Sequence, residues 1–312
     1  MRVLVTGGSG MVGQGFLNLD DENTDIELYL VGSADGDLRD ISAVDTLIER
    51  HKPDAIIHLA ARVGGVKGNT DFVADFFEDN IAMNTNVLQS AANHRIRKVI
   101  SLLSTCVYPD KVNYPLTEDQ IHNGPPHPSN FGYAYAKRML DVHSRALRQQ
   151  YGCNFICAVP NNLYGPHDNF DLENGHVIPA IIRKVWEAKI SSISPVFWSD
   201  GSALREFTYA PDLAGILLYL LDEYNDPDPI NIGIIEERSI KSVVKSICEN
   251  LGYNGDVIWD ETKPGGQHRK PSSNKKLIDL GWKKNDYTSF DIGLKRTCDW
   301  FIKNYPNVRG VE

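Results

Sequence analysis

Thr6-Gly7-Gly8-Ser9-Gly10-Met11-Val12-Gly13 stands between a short β-branched run, Val3-Leu4-Val5, and an amphipathic stretch from Met11 to Leu19. Its glycines allow a tight turn, close approach of a pyrophosphate to the backbone and close packing of helix on strand, while the helix N-terminus favours negative charge. A glycine triplet alone is weak evidence. Strand, loop and helix in this order at the head of a βαβ pattern make it a nucleotide loop.

Outward from that loop, short strands and longer helical patterns alternate. Ile26 to Val31, Ala55 to His58, Val99 to Leu103 and Asn154 to Val159 read as strands; Asp40 to His51, Phe72 to His94 and Tyr133 to Tyr151 read as helices. Such alternation requires a parallel sheet with right-handed crossovers and helices on both faces, so the fold class is α/β, a doubly wound, Rossmann-like parallel sheet. After Gly165-Pro166 the pattern changes. A helix near Ile178 to Ala188, a segment Val196-Phe197-Trp198, a helix from Pro211 to Glu223 and a strand Ile230-Asn231-Ile232 follow, then helices near Ile240 to Asn250 and Phe290 to Asn304. The expected division is a nucleotide-binding domain over 1–165 plus about 206–233, and a smaller C-terminal lobe over 166–205 and 234–312, with the ligand cleft between them.

The 312 residues suffice for a sizeable core, and 42% apolar with 23% charged residues excludes disordered and fibrous classes. A net charge of −9 without a basic run argues against duplex nucleic acid or an anionic membrane as main partner. No apolar run reaches the ~18–20 residues of a membrane span, and the Met1-Arg2-Val3-Leu4-Val5 start enters a folded motif rather than a signal peptide, so a cytoplasmic location is expected. Cys106, Cys153, Cys157, Cys248 and Cys298 are odd in number and lack paired spacing; reduced thiols and no metal site are expected.

Tyr133 and Lys137, at i and i+4, share one helix face. A phenol of pKa about 10 is a poor acid–base group at neutral pH, and a nearby ammonium is expected to bring it towards the working range. Upstream, the strand running into Ser104-Thr105-Cys106-Val107-Tyr108-Pro109 ends in hydroxyls at the edge of the sheet. The end of the second strand, Val31-Gly32-Ser33-Ala34-Asp35, offers neither a carboxylate at the tip for a ribose 2′-hydroxyl nor a cation for a 2′-phosphate. Asp37-Leu38 lines an adenine in one reading and a solvated loop in the other.

The glycine loop, His58-Leu59-Ala60-Ala61, the Ser104 to Tyr108 strand end and Tyr133 to Lys137, in this order, resemble the extended short-chain dehydrogenase/reductases, the family of nucleotide-sugar epimerases and dehydratases. The resemblance implies that Ser104 and Tyr133 bind a substrate carbonyl or hydroxyl, that Lys137 holds the nicotinamide ribose, and that hydride moves at the carbon so gripped. It assigns Gly7, Gly8, Ser9, Gly10, Met11, Val12, Gly13, Ser33, Asp37, Leu38, Leu59, Ala60, Ala61, Tyr133, Lys137, Pro160, Asn161, Asn162, Leu163 and His176 to the cofactor site. NADP is implied; because Ser9 and Ser33 stand where bacterial members carry arginines, use of NAD as well is left open.

Within the family the chain is most similar to the bifunctional epimerase-reductases that convert GDP-4-keto-6-deoxy-D-mannose to GDP-L-fucose. The stretches that carry this are Ala61-Arg62-Val63-Gly64-Gly65-Val66, Ser104 to Pro109, Asn162-Leu163-Tyr164-Gly165-Pro166-His167-Asp168-Asn169-Phe170 and Gly175-His176-Val177-Ile178-Pro179. Dehydratases of the family place an Asp-Glu pair where this chain has Cys106-Val107. The resemblance implies Cys106 as base and His176 as acid in epimerisation beside the carbonyl, followed by reduction at C4 with Tyr133 as proton donor. Cysteine at a strand end is otherwise a small buried hydrophobe, and a loop histidine a hydrogen-bonded spectator. Asn162, Val177, Lys184, Trp198, Arg205 and Lys270, the last shortly after Pro264-Gly265-Gly266, are implied to bind the GDP-sugar. A homodimer pairing the two long helices, Phe72 to His94 and Tyr133 to Tyr151, is the family habit. Another nucleotide-sugar epimerase or reductase and a non-catalytic nucleotide sensor are the competing readings.

Overall fold

The computed structural model describes residues 1–19, 25–263 and 268–311. In chain order it forms β1 (Arg2–Thr6), α1 (Met11–Gly15), β2 (Glu27–Val31), α2 (Ile41–His51), β3 (Ala55–His58), α3 (Val66–Asp71), α4 (Val73–Asn93), β4 (Lys98–Leu102), α5 (Phe131–Tyr151), β5 (Asn154–Pro160) and β6 (Asn162–Tyr164). Then follow α6 (Val177–Ser191), β7 (Val196–Trp198), β8 (Leu204–Tyr209), α7 (Ala210–Glu223), β9 (Ile230–Ile232), β10 (Glu237–Ser239), α8 (Ile240–Leu251), β11 (Ile258–Asp260), α9 (Lys275–Asp279) and α10 (Phe290–Asn304).

Six strands make one parallel sheet in the order β2-β1-β3-β4-β5-β9. Its strands are apolar on both faces because helices cover both. Leu4, Ile56, Val99 and Phe155 pack with Val44, Leu47, Leu88 and Leu140 of α2, α4 and α5. Their alternates Val3, Val5, Ile57, Ile100 and Ile156 pack with Leu213, Leu217 and Leu220 of α7. The period of two along each strand sets this division. Helix ends follow local chemistry: the Asp40 side chain accepts from Ser42 N to start α2, and Gly152, at φ 71°, ends α5.

The expected helix Met11 to Leu19 is shorter than its pattern: α1 stops at Gly15 and a 3-10 turn, Phe16–Asn18, replaces the rest. The expected helix Phe72 to His94 is preceded by an unexpected short one, α3. Beyond β5 a second sheet, β10-β8-β6, and a two-stranded pair, β11-β7, carry the C-terminal lobe. Its core joins Phe170, Ile178, Ile182, Phe207, Val243, Ile247, Phe290, Leu294 and Phe301. The order reverses between β1 and β3, and a crevice outside the carboxyl ends of the strands at such a switch point is where open α/β sheets bind ligands.

Candidate active site

The crevice holds a cavity of about 1410 Å³ running from the β1 loop, past the ends of β3, β4 and β5, to the C-terminal lobe. At one end Gly7 has φ +75°, and a Cβ there would lie 2.8 Å from Ala60 N. A Cβ on Gly13 would lie 2.5 Å from Gly8 O. The loop is thus closed on its own helix and on the tip of β3, leaving backbone rather than side chain facing the cavity, which fits the pyrophosphate of a dinucleotide. Of the sequence-derived cofactor residues, Gly7, Ser9 to Gly13, Ser33, Asp37, Leu38, Leu59 to Ala61, Tyr133, Lys137, Pro160 to Leu163 and His176 line the cavity. Gly8 does not; a Cβ on it would run into Leu30 at 2.7 Å, so it serves strand packing.

At the end of β4, Ser104 adopts extended backbone and its Oγ accepts from Cys106 N at 3.3 Å, opening a single 3-10 turn, Thr105–Val107. Arg138 of α5 fixes that turn from below, its Nε donating to Val107 O at 2.6 Å, and the Tyr108 hydroxyl donates to buried Asn231 Oδ1 at 2.6 Å. Helix α5 brings Tyr133 and Lys137 to the same place. Lys137 is 2% exposed, and its ammonium donates to Leu102 O at 2.8 Å and lies 6.0 Å from the Tyr133 ring centroid.

Burial pulls Lys137 down to about 8. Here one expectation is corrected: Tyr133 is not lowered by its lysine. Desolvation on the cavity floor, with Cys106 adding, raises the phenol above its ordinary value, and the Ser104 hydroxyl offsets only part. Tyr133 is therefore held as an O–H, the form that donates a proton.

His176, the residue preceding α6, lines the same cavity, and its imidazole makes no capping bond with the helix. Its pKa is raised by the carboxylate of Asp168, against burial and the Arg309 guanidinium. Asn162, Val177, Trp198 and Arg205 line the same region. Asn162 Nδ2 donates to Glu206 O at 2.8 Å, the Trp198 indole is 64% exposed, and burial lowers Arg205. Lys184 and Lys270 do not line the cavity. The Lys184 ammonium donates to Val196 O at 2.9 Å and sits over the Phe197 ring. Lys270 is lowered by burial, with Arg205 lowering it further and Cys106 and Asp110 offsetting part. Pro264-Gly265-Gly266 lies outside the described residues.

Several residues on the cavity wall were not singled out from sequence: Arg39, Arg62, Asp79, Asp168 and Arg309. Arg39 is a cation on this wall close in sequence to the β2 tip. It stands one residue past Asp37-Leu38 and pairs with Asp37 at 2.7 Å and Asp79 at 3.0 Å, while Arg62 pairs with Asp79 at 2.7 Å. Among the described residues no group of three or more His, Cys, Asp or Glu is placed to hold a metal, and no helix is long and apolar enough to cross a membrane. A hydroxyl pair beside a buried lysine suits a carbonyl grip. A thiol and an imidazole on the same cavity add proton removal and delivery.

The profile of the NAD dependent epimerase/dehydratase family matches residues 3–233. The GDP-L-fucose synthase of Dictyostelium discoideum is 42% identical over 98% of this chain and 97% of its own. A probable GDP-L-fucose synthase of Drosophila melanogaster is 38% identical over 99% of both chains. Among solved structures, a GDP-L-fucose synthetase from Naegleria fowleri bound to NADP superposes with a TM-score of 0.92 at 40% identity, covering 99% of this chain and 94% of that one.

Proposed function

We propose, for a chain that belongs to the NAD dependent epimerase/dehydratase family, the reaction of its full-length relatives: NADPH-dependent conversion of GDP-4-keto-6-deoxy-D-mannose to GDP-L-fucose, by epimerisation at C3 and C5 and reduction at C4. The observation that carries this reading is the meeting of Ser104, Cys106, Tyr133, Lys137 and His176 on one cavity, in a chain that matches such synthases from end to end.

The C4 ketone accepts hydrogen bonds from Ser104 and Tyr133, which acidifies the protons on C3 and C5 and stabilises the enolate formed when one is removed. Cys106 removes that proton as the general base. His176 returns a proton to the other face of the ring, which inverts the carbon. NADPH, when bound, supplies the hydride to C4. Tyr133, held protonated, gives its proton to the C4 oxygen, so one grip serves both stages.

Lys137 holds the nicotinamide ribose, and the glycine loop faces the pyrophosphate. Trp198 stacks on guanine, and Arg205 with Lys270 meets the diphosphate; Lys184 joins them only by leaving the Val196 carbonyl. Residues 1–165 with 206–233 carry the cofactor, and 166–205 with 234–312 the GDP-sugar. The partner is a second copy. Phe131, Tyr135, Met139 and Val142 form an exposed apolar stripe along α5, beside exposed Phe72 and Phe77 at the start of α4, suited to pairing the two helices with their counterparts.

Incubation with GDP-4-keto-6-deoxy-D-mannose and NADPH tests the reading. GDP-L-fucose with stoichiometric NADPH oxidation supports it; tighter binding of UDP or dTDP than of GDP, with no turnover, refutes it.

A further inference from the structure

The loop between β6 and α6 is built to hold two side chains together. Phe170, fully buried, anchors it against Phe301 at 4.6 Å between ring centroids. Phe170 N donates to Arg309 O at 2.9 Å, and Arg183 Nη1 donates to Gly310 O at 2.5 Å, so the C-terminal tail straps the loop. Asp171 Oδ1 accepts from Glu173 N at 2.9 Å and Asn174 N at 2.6 Å, and Gly175 N donates to Asp171 O at 3.0 Å. This turn reverses the chain and brings His176 back towards Asp168.

Asp168 is 4% exposed. Its Oδ1 accepts from Asn169 N at 2.7 Å and lies 3.9 Å from His176 Nδ1. Its Oδ2 is buried and has no hydrogen-bond partner among the described residues. A buried carboxylate with an oxygen unmet is unfavourable unless a positive charge nearby offsets it, and the imidazole, whose Nδ1 approaches Oδ1 rather than Oδ2, is a group that can supply one. His176 itself is open to the cavity, with 49% of its side chain exposed. Two features oppose its cation. The Arg309 guanidinium comes from the C-terminal tail, and the N-terminus of α6, which His176 precedes, carries partial positive charge. The other ionisable groups on the cavity wall are Cys106, Tyr133, Lys137 and Arg205, with Asp37, Arg39, Arg62 and Asp79. The Asp168 carboxylate outweighs burial and Arg309, and His176 is raised as a result.

We propose that Asp168 is the positioning residue of His176, holding the Nδ1 proton of the imidazolium so that Nε2 faces the sugar and carries the proton to be delivered. The inference rests on the reading of His176 as the acid. In the step, the Nε2–H bond breaks and a C–H bond forms at the enolate carbon. The charges of enolate and imidazolium cancel, and a neutral imidazole remains with its proton on Nδ1 towards Asp168. Water then reprotonates Nε2.

The test follows the His176 imidazole by NMR in the NADP-loaded protein, its resonance identified by loss in His176→Asn, alongside deuterium uptake from D₂O into the sugar. The parent should titrate above the ordinary histidine value of about 6.5. Asp168→Asn should lower that midpoint and slow deuterium uptake about tenfold at pH 7.5, with recovery towards pH 6, and Asp168→Glu should restore part of both. An unmoved midpoint in Asp168→Asn, or a parental midpoint below the ordinary value, which needs no variant to fold, overturns the proposal. If the midpoint falls in Asp168→Asn while His176→Asn exchanges at the parental rate, the pairing is supported and the reading of His176 as acid fails. An unmoved midpoint with exchange abolished in His176→Asn removes only the pairing.

Discussion

Asn84→Ala should loosen both halves of the cofactor site at once. Thr6, immediately before the glycine loop, bonds His58 through Oγ1···Nδ1 at 2.8 Å, His58 Nε2 meets Asn84 Oδ1 at 3.0 Å, and Asn84 Nδ2 donates to Ala136 O at 3.2 Å. Because Asn84 uses its amide nitrogen on Ala136, its oxygen must accept, so His58 carries its proton on Nε2 and accepts from Thr6 on Nδ1. The relay ties β1, β3 and α4 to α5 between Tyr133 and Lys137. His58 is 0% and Asn84 3% exposed, so truncation leaves the His58 N–H without water. An orphaned buried donor costs about 1–3 kcal/mol, and the lost bond to Ala136 about 1 more, giving about 2–4 kcal/mol. Unfolding entropy of about 2.1 cal/mol/K per residue over 312 residues gives about 0.7 kcal/mol/K, so Tm should fall by about 3–6 °C. Differential scanning fluorimetry with and without NADPH measures this, and the stabilisation by NADPH should shrink as well. A fall under about 1 °C, with NADPH stabilisation unchanged, would refute the relay.

His58 also predicts an acid limb. Burial, with the Lys137 charge adding, lowers its folded pKa to about 3 from about 6.5, so below pH 6.5 the unfolded chain binds the extra proton. Its contribution to stability is lost as pH falls through that range, by about 2 kcal/mol between pH 7 and pH 5. Urea titrations should show this slope in the parent and not in His58→Asn; equal slopes would contradict it. Arg39→Ala should weaken NADPH binding about 10-fold to 100-fold, as expected for hydrogen bonds to a charged phosphate, and weaken NADH binding far less; calorimetric titration showing parallel losses would remove Arg39 from the 2′-phosphate. Met139→Glu with Val142→Glu should convert a dimer to a monomer in light scattering without loss of fold; an unchanged mass would place the interface elsewhere.

The parallel sheet was legible because the central strands are mostly apolar, with Ser101 and His58 among the polar exceptions, and face helices on both sides. The second sheet was not. In Leu204-Arg205-Glu206-Phe207-Thr208-Tyr209 the polar residues Glu206 and Thr208 are buried, tied by Ser272 and Asn161, so the strand carries no alternating signal. The short strand β6 and helix α3 are below the length at which a period shows. In the site, neighbours in sequence were readable as Tyr133 with Lys137. Arg309 reaches the cavity from the far end of the chain and Asp168 acts across a loop, and neither spacing reveals this. The direction of the Tyr133 shift was misjudged because sequence shows which charge is near but not how much water is removed.

Deuterium from D₂O at C3 and C5 of the GDP-sugar, followed by mass spectrometry in the parent and in Cys106→Ser with NADPH present, bears most directly on the epimerase-reductase reading. The parent should label both carbons before C4 is reduced. Cys106→Ser should keep NADPH binding and lose labelling by about 100-fold or more, the usual weight of a general base. Unlabelled product from the parent, or parental labelling in Cys106→Ser, would contradict it.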